Sequence, residues 1–315
     1  MDATTVDILE DLVQEAGLPD VTATSRLAGR GLNNQLYAAR LADGRQMVLR
    51  IRTRGLIPEQ TRAQFLQTSG LSVPRLFAAS GNASLYAFAP GVTLGDAIEG
   101  GAITREDWAR VGRAYRQVHE VRFPREVKGT VGPDVITLRP TDPVANLHGV
   151  VERSVAGLER LLPETVALVP DLHRLIEDAA PALRDTTTSL LHGDVNMWNI
   201  LVAPTRATLV DWDEPTIGDP AAELALLHQH ASLFNGTGLP RAFFDGYGRG
   251  PMEPNTSLHR LVGTIAWLTS DDWVRFERLD PDLRARTRGW FRGLVAWTER
   301  MPEHIERVRT LPPRP

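Results

Sequence analysis

The stretch that decides the reading is HGDVNMWNILV, residues 192–202. His192, Asp194 and Asn199 fit H-x-D-x-x-x-x-N, and an apolar run follows at once. In kinases this spacing belongs to the catalytic loop, where the aspartate orients and deprotonates the acceptor hydroxyl and the asparagine holds a metal ion. The same letters also suit a polar loop, since Asp and Asn favour turns. The next residues tip the balance. ILV, a turn at Pro204 and TLV read as two short strands, and the second delivers Asp211 in LVDWDEP. A hard oxygen ligand just beyond such a loop is what a magnesium–nucleotide site requires, because Mg²⁺ bridges triphosphate oxygens.

Composition narrows the setting. The chain has 315 residues, enough for one large domain or two lobes with a sizeable core. A hydrophobic content of 42% and a charged content of 23% are those of an ordinary globular protein. The net charge of −4 gives no electrostatic case for a nucleic-acid partner. No apolar run is long enough to span a membrane, and the N-terminal MDATTVDILEDLVQEAG carries acids where a signal peptide carries bases. With no cysteine, disulfides, thiolate metal sites and cysteine nucleophiles are excluded. The expectation is a cytoplasmic monomer or homodimer. Lys128 is the only lysine, so any task usually given to lysine falls to arginine.

Outward from the motif, the chain divides by texture. Residues 6–16 repeat apolar positions at helical spacing and stop at Gly17. Residues 22–52 read as strands, with a hairpin turn at Asp43-Gly44. A short helix is expected over 58–68, starting at Pro58, and SVPRLFAAS and SLYAFAP read as two further strands. Past Pro90-Gly91, helical periodicity covers 104–120, 141–162, 171–184, 220–233 and 258–300, interrupted by the hairpin of 199–213. The expected fold is α+β and bilobal: a β-rich N-terminal lobe, 1–89, and a mostly helical lobe, 90–315. Asp219, before Pro220 in IGDPAAELALL, is expected to cap a helix and brace the loops around Asp194 and Asp211. Asp213 is open between a place near the metal and a place facing the acceptor.

HGDVNMWNIL, LVDWDEP and GDPAAELA together resemble the aminoglycoside phosphotransferase and choline kinase-like family of small-molecule kinases. That resemblance implies the protein-kinase-like fold, ATP or GTP as co-substrate and Mg²⁺. It departs from the family pattern at Glu223, where Asp is usual. GRGLNNQLYAARL resembles the family's nucleotide-covering loop, with Gly31, Asn34 and Tyr37 at G-x-x-N-x-x-Y; a glycine there lets backbone approach phosphate. The phosphate-clamping cation, lysine in protein kinases, falls on Arg50 in MVLRI. Glu59 is the only acid between Gly44 and Gly95, which makes it the natural partner for Arg50 within this lobe. Strand alternation places Arg52 on the same face as Arg50, and Arg54 lies nearby; all three also fit solvated strand arginines. SLYAFAPGVTL matches the inter-lobe hinge, with Phe88 and Ala89 offering backbone to the base. His119, in RQVHEV, reads as a packed or capping residue outside the catalytic set.

Asp194 is therefore the candidate catalytic residue, and Asn199 and Asp211 are the candidate metal ligands. For the acceptor, residues 190–273 carry ten acids against four arginines, a local balance of −6 that suits a cationic substrate. Asp213, Trp267, Asp271, Asp272 and Trp273 are the acceptor candidates, the last four because AWLTSDDW mixes aromatic and acidic groups able to stack and pair. Tryptophan on a helix equally fits a core position. The leading expectation is a kinase that phosphorylates a hydroxyl of an antibiotic of aminoglycoside, macrolide or nucleoside type. The alternatives are a metabolic kinase for choline, homoserine or a sugar alcohol, and a nucleotide-binding protein without catalysis. A protein kinase fits poorly: too few residues separate Asp211 from His230 for a long activation segment, and no A-P-E follows.

Overall fold

The computed structural model describes residues 3–27, 34–52, 60–132, 135–213, 215–279 and 281–311. The N-terminal part opens with α1 (Ala3–Glu15), then β1 (Val21–Arg26), β2 (Asn34–Leu41), β3 (Gln46–Arg52), α2 (Gln60–Thr68), β4 (Leu76–Ser80) and β5 (Ala83–Ala87). The strands pair antiparallel in the order β1-β2-β3-β5-β4. Helix α1 lays Leu9, Leu12 and Val13 on Leu49, Leu85 and their neighbours, so the apolar spacing of 6–16 closes one face of this sheet. Asp43-Gly44 makes the β2–β3 turn, with Gly44 at φ +86°.

The chain then runs through Pro90-Gly91 into β6 (Val92–Thr93), α3 (Leu94–Glu99), α4 (Arg105–His119), β7 (Val127–Val131) and β8 (Ile136–Pro140). Gly91 is needed at this crossing. Its φ is +138°, and a Cβ there would stand 2.7 Å from the Val202 carbonyl oxygen. Next come α5 (Pro143–Leu161), α6 (Val169–Asp178), α7 (Ala180–Arg184), β9 (Ser189–Leu191), β10 (Ile200–Val202), β11 (Ala207–Leu209) and β12 (Thr216–Gly218). The chain closes with α8 (Pro220–Asn235), α9 (Arg241–Tyr247), α10 (Asn255–Leu268), α11 (Asp272–Phe276), α12 (Pro281–Glu299) and α13 (Met301–Arg309). None of the described helices is long and apolar enough to cross a membrane.

Two small sheets carry the catalytic loop. β10 sits between β11 and β6, and β12 sits between β7 and β9. The core beneath them joins Leu94, Val111, Tyr115, Met197, Ile200, Leu209, Ile217, Leu224 and Phe243, so the loop between β9 and β10 rests on helices α4, α8 and α9. The hairpin expected over 199–213 is present. The β7–β8 hairpin was not expected, nor were β9 and β12. The periodicity over 258–300 proves to be three helices, α10 to α12, and that over 171–184 is broken at Ala179.

Candidate active site

The loop after β9 is held from three directions. His192 Nε2 donates to the Val210 carbonyl at 2.9 Å, tying the loop to the end of β11. The His192 and Gly193 backbone N–H groups donate to the two oxygens of Glu223, at 3.1 and 3.0 Å. Glu223 in turn meets His119 Nε2 at 2.9 Å, and His119 Nδ1 meets the Tyr247 hydroxyl at 2.8 Å. Burial would raise the Glu223 pKa, but the hydrogen bond and charge of His119, the charge of His192 and the Gly193 N–H outweigh it, and the carboxyl ends below its usual range.

Two expectations meet the structure here. Asp219 does cap α8, accepting from Ala221 N at 2.7 Å, and it takes His259 Nε2 at 3.0 Å. Glu223, from the next turn of α8, reaches the backbone of the loop at His192 and Gly193. His119 is buried with it as its partner, which is the packed reading of that histidine. The longer side chain at position 223, the one departure from the family pattern, was the available signal.

Asn199 Nδ2 donates to Asp194 Oδ2 at 2.9 Å, and Val210 N donates to the Asn199 carbonyl at 2.9 Å. These two bonds set Asp194, Asn199 and the approach to Asp211 side by side. Asp194 is exposed to solvent. Enclosure by surrounding protein raises its pKa, His192 and Asn199 oppose the rise, and the Asp213 charge adds to it. Asp211 has φ +64°, which turns its carboxylate back toward the N-terminal sheet. Burial pushes its pKa up to about 6 despite the Arg50 charge, with Asp213 and Asp194 contributing.

Arg50 Nη2 donates to Asp211 Oδ1 at 2.5 Å and to Asp213 Oδ2 at 2.5 Å. Arg52 Nη2 donates to Asp213 Oδ1. Arg50 and Arg52 are 7% and 8% exposed, so neither is a solvated strand arginine. Their shared face, expected from strand alternation, is present. Asn34 Nδ2 lies 3.5 Å from Asp211 Oδ1, and Tyr37 is buried in the sheet with its hydroxyl donating to Gln35 Oε1 at 2.9 Å. Gly31, Arg54 and Glu59 fall outside the described residues, and with Glu59 the expected Arg50–Glu59 pair. At the hinge, Phe88 N–H is already spent on the Gln46 carbonyl at 3.1 Å; Ala89 N–H has no such partner among the described residues.

The acceptor candidates behave differently from one another. Asp213 faces the arginines of the N-terminal sheet. Trp267 and Trp273 pack in a cluster with Leu162, Leu268 and Leu294, and Trp273 Nε1 donates to the Trp267 carbonyl at 2.8 Å. Asp272 pairs with Arg275 at 3.5 Å, and Asp271 is exposed at the start of α11. Trp267 and Trp273 are thus engaged in packing and Asp272 in local pairing, while Asp271 stays open to solvent. Trp198, four positions after Asp194 in the chain, is half-buried, its ring 5.5 Å from Phe234 and 5.3 Å from Trp290. It rests on Gly95, where an added Cβ would come within 2.6 Å of the indole nitrogen. Arg286 lies 5.0 Å over its face and pairs with Glu99 at 2.5 Å.

Could these residues hold a magnesium ion? Asn199 and Asp211 offer hard oxygen donors on one hairpin, which suits Mg²⁺ completed by phosphate and water. No cluster of three or more His, Cys, Asp or Glu able to hold a metal occurs among the described residues.

A β-sheet bearing buried arginines, a helical part bearing a braced HGD loop, and two small sheets between them define a protein-kinase-like fold with a phosphotransferase site. The chain belongs to the phosphotransferase enzyme family, whose model matches residues 24–259. Its structure resembles aminoglycoside phosphotransferase APH(4)-Ia, with 18% identity, 94% of this chain and 99% of that one covered, and a TM-score of 0.62. It also resembles a choline/ethanolamine kinase family protein from Mesorhizobium loti, at 19% identity, 92% and 93% coverage and a TM-score of 0.58. A third similar structure is the streptomycin–ATP ternary complex of APH(2")-IIa, at 13% identity, 93% and 96% coverage and a TM-score of 0.56. Among curated proteins none matches the sequence.

Proposed function

We propose that this protein transfers the γ-phosphoryl group of ATP to a hydroxyl of a small molecule. The observation that carries the proposal is the hairpin that sets Asp194 against Asn199, at 2.9 Å, beside Asp211. Asp194 would orient the acceptor hydroxyl and take its proton as the oxygen bonds to γ-phosphorus. The bond from γ-phosphorus to the bridging oxygen breaks and ADP leaves. Asn199 and Asp211 would hold Mg²⁺, which supplies neutralisation of the phosphate charge. Arg50 would clamp phosphate, Asn34 would stand beside it, and the base would meet backbone near Phe88 and Ala89. Catalysis of this kind is positioning and charge stabilisation more than covalent chemistry. The relative solved with ATP supports ATP as the nucleotide. The functional division falls at 1–89 and 90–315, and the setting is cytoplasmic.

The acceptor we propose is an antibiotic less densely cationic than an aminoglycoside, of macrolide or nucleoside type, inactivated by phosphorylation. What favours it is the employment of the acids that sequence alone suggested for a cationic substrate. Asp211 and Asp213 hold arginines, Asp219 and Glu223 hold histidines and backbone, Asp245 holds Arg105, Glu253 accepts from Ser257 N and Asp272 holds Arg275. Trp198, four positions after Asp194 in the chain, packs instead into an aromatic cluster. Trp198, Phe234 and Trp290 also suit a quaternary ammonium, which keeps choline as the second reading. Mass-spectrometric detection of a phosphorylated product across macrolides, nucleoside antibiotics, aminoglycosides and choline separates the two. Asp194→Ala is expected to lower transfer by roughly a thousandfold while nucleotide affinity holds. Turnover retained in that variant would remove Asp194 from its role.

A further inference from the structure

Asp213 follows Asp211 by two positions, yet every contact seen for it crosses to the N-terminal part of the chain. Its Oδ2 accepts from Arg50 at 2.5 Å, its Oδ1 accepts from Arg52, and its main-chain oxygen accepts from Arg62 Nη1 at 2.9 Å. Arg50 and Arg52 come from β3 and Arg62 from α2, and all three are buried, Arg62 at 4% exposure. One residue of the β11 loop therefore gathers three guanidinium groups from two elements. Burial alone would raise the Asp213 pKa, but Arg50, Arg52 and Arg62 hold it below the usual carboxylate range.

Asp211 and Asp213 share Arg50, but a nucleotide would ask different things of them. Asp211 is the acid proposed for Mg²⁺. Asp213 has both carboxylate oxygens turned to guanidinium donors and is placed to keep them when Asp211 is claimed. We propose that Asp213 is a positioning residue. It pins β3 and α2 to the β11 loop, and so fixes the spacing between the N-terminal sheet and the catalytic loop together with the direction of Arg50. Arginine at position 50 belongs to the same design. Its fork reaches two acids from a single position, which the point charge of lysine does less well. The consequence for phosphate clamping rests on the kinase reading; the latch itself does not.

The test begins without nucleotide. Asp213→Asn and Arg52→Gln are each expected to lower the melting temperature by a few degrees. The double variant should fall by less than the sum of the two singles, because the bond they share is lost only once. Fully additive shifts would overturn the latch. The second arm titrates Mg²⁺ with a non-hydrolysable ATP analogue. Asp213→Asn is expected to raise its Kd about tenfold, the worth of a charge-assisted hydrogen bond, and Asp213→Glu to recover most of that loss. Unchanged affinity in Asp213→Asn would overturn the positioning role. Should that variant not fold, Arg52→Lys keeps the charge and loses the fork; wild-type affinity there would likewise overturn it. If the wild-type protein binds no nucleotide, or Asp194→Ala still transfers phosphate, the kinase reading fails, while coupling in the ligand-free protein is decided on its own.

Discussion

Glu223 illustrates what a single methylene can change. Its carboxylate, buried at 3% exposure, serves two backbone N–H groups of the catalytic loop and His119 at once. Glu223→Gln keeps the shape but turns an amide NH₂ toward groups that are themselves donors. A buried donor left unpaired costs roughly 1–3 kcal/mol, more beside a charge. The expected result is a fall in kcat of about 10- to 100-fold with the nucleotide Kd within about twofold, because the loop moves and the phosphate clamp does not. Steady-state kinetics alongside nucleotide titration check this; a loss confined to nucleotide affinity would contradict it. Arg50 and Asp211, the proposed clamp and the proposed metal ligand, form the complementary pair and meet at 2.5 Å.

At the scale of elements, helix α9 deserves its place for what it carries rather than for its length. It crosses α4 so closely that a Cβ at Gly112 would lie 2.0 Å from the Phe243 carbonyl oxygen, and one at Gly246 would lie 2.0 Å from that of Ala109. The close approach seats Tyr247 against His119 and so reaches the catalytic loop through Glu223. Gly112→Ala forces backbone apart, which costs about 2 kcal/mol or more. The expected outcome is a lower melting temperature and a lower kcat together; a variant with wild-type values for both would show that the crossing is looser than its geometry. Such crossings also mark the limit of what the amino-acid order discloses. His192, Asp194, Asn199 and Asp211 were legible because they sit on one loop and hairpin, where spacing encodes geometry. The α1 face, the Asp43-Gly44 turn and the cap at Asp219 were legible for the same local reason. Arg62 with Asp213, separated by 151 positions, and His119 with Glu223, separated by 104, were not, because only the tertiary fold brings them together. β9 and β12 escaped notice because three residues carry no period, and they exist only by pairing with each other and with β7.

Over the whole molecule, the aromatic belt that links the catalytic loop to α12 contains a group that sets how the protein answers acid. His230 lies on α8 with its ring 5.7 Å from Phe234, 5.4 Å from Trp267 and 5.2 Å from Trp290, and its Nδ1 has no hydrogen-bond partner among the described residues. Burial lowers its pKa from 6.5 to about 4. His228, on the same helix, is lowered to about 4 by burial and by the charges of Arg260 and Arg307. In the unfolded chain both rings take up protons near pH 6.5, whereas in the folded protein they do so only near 4. Across that window the unfolded state binds more protons, so stability falls as pH drops from about 6.5 toward 4. The full difference at His230 corresponds to roughly 3 kcal/mol. Glu223 acts lower on the scale, since its depressed pKa contributes stability above its ordinary 4.5 that is lost as pH falls further. Replacing His230 by phenylalanine keeps an aromatic ring in the belt and removes the proton site. Melting temperatures measured from pH 7 down to pH 5 are expected to drop less steeply in His230→Phe than in the wild type. The comparison is of slopes, so any packing cost of the substitution cancels. Equal slopes would mean that the ring takes up its proton in the folded state as readily as in the unfolded one, and that the belt admits water where the geometry closes it.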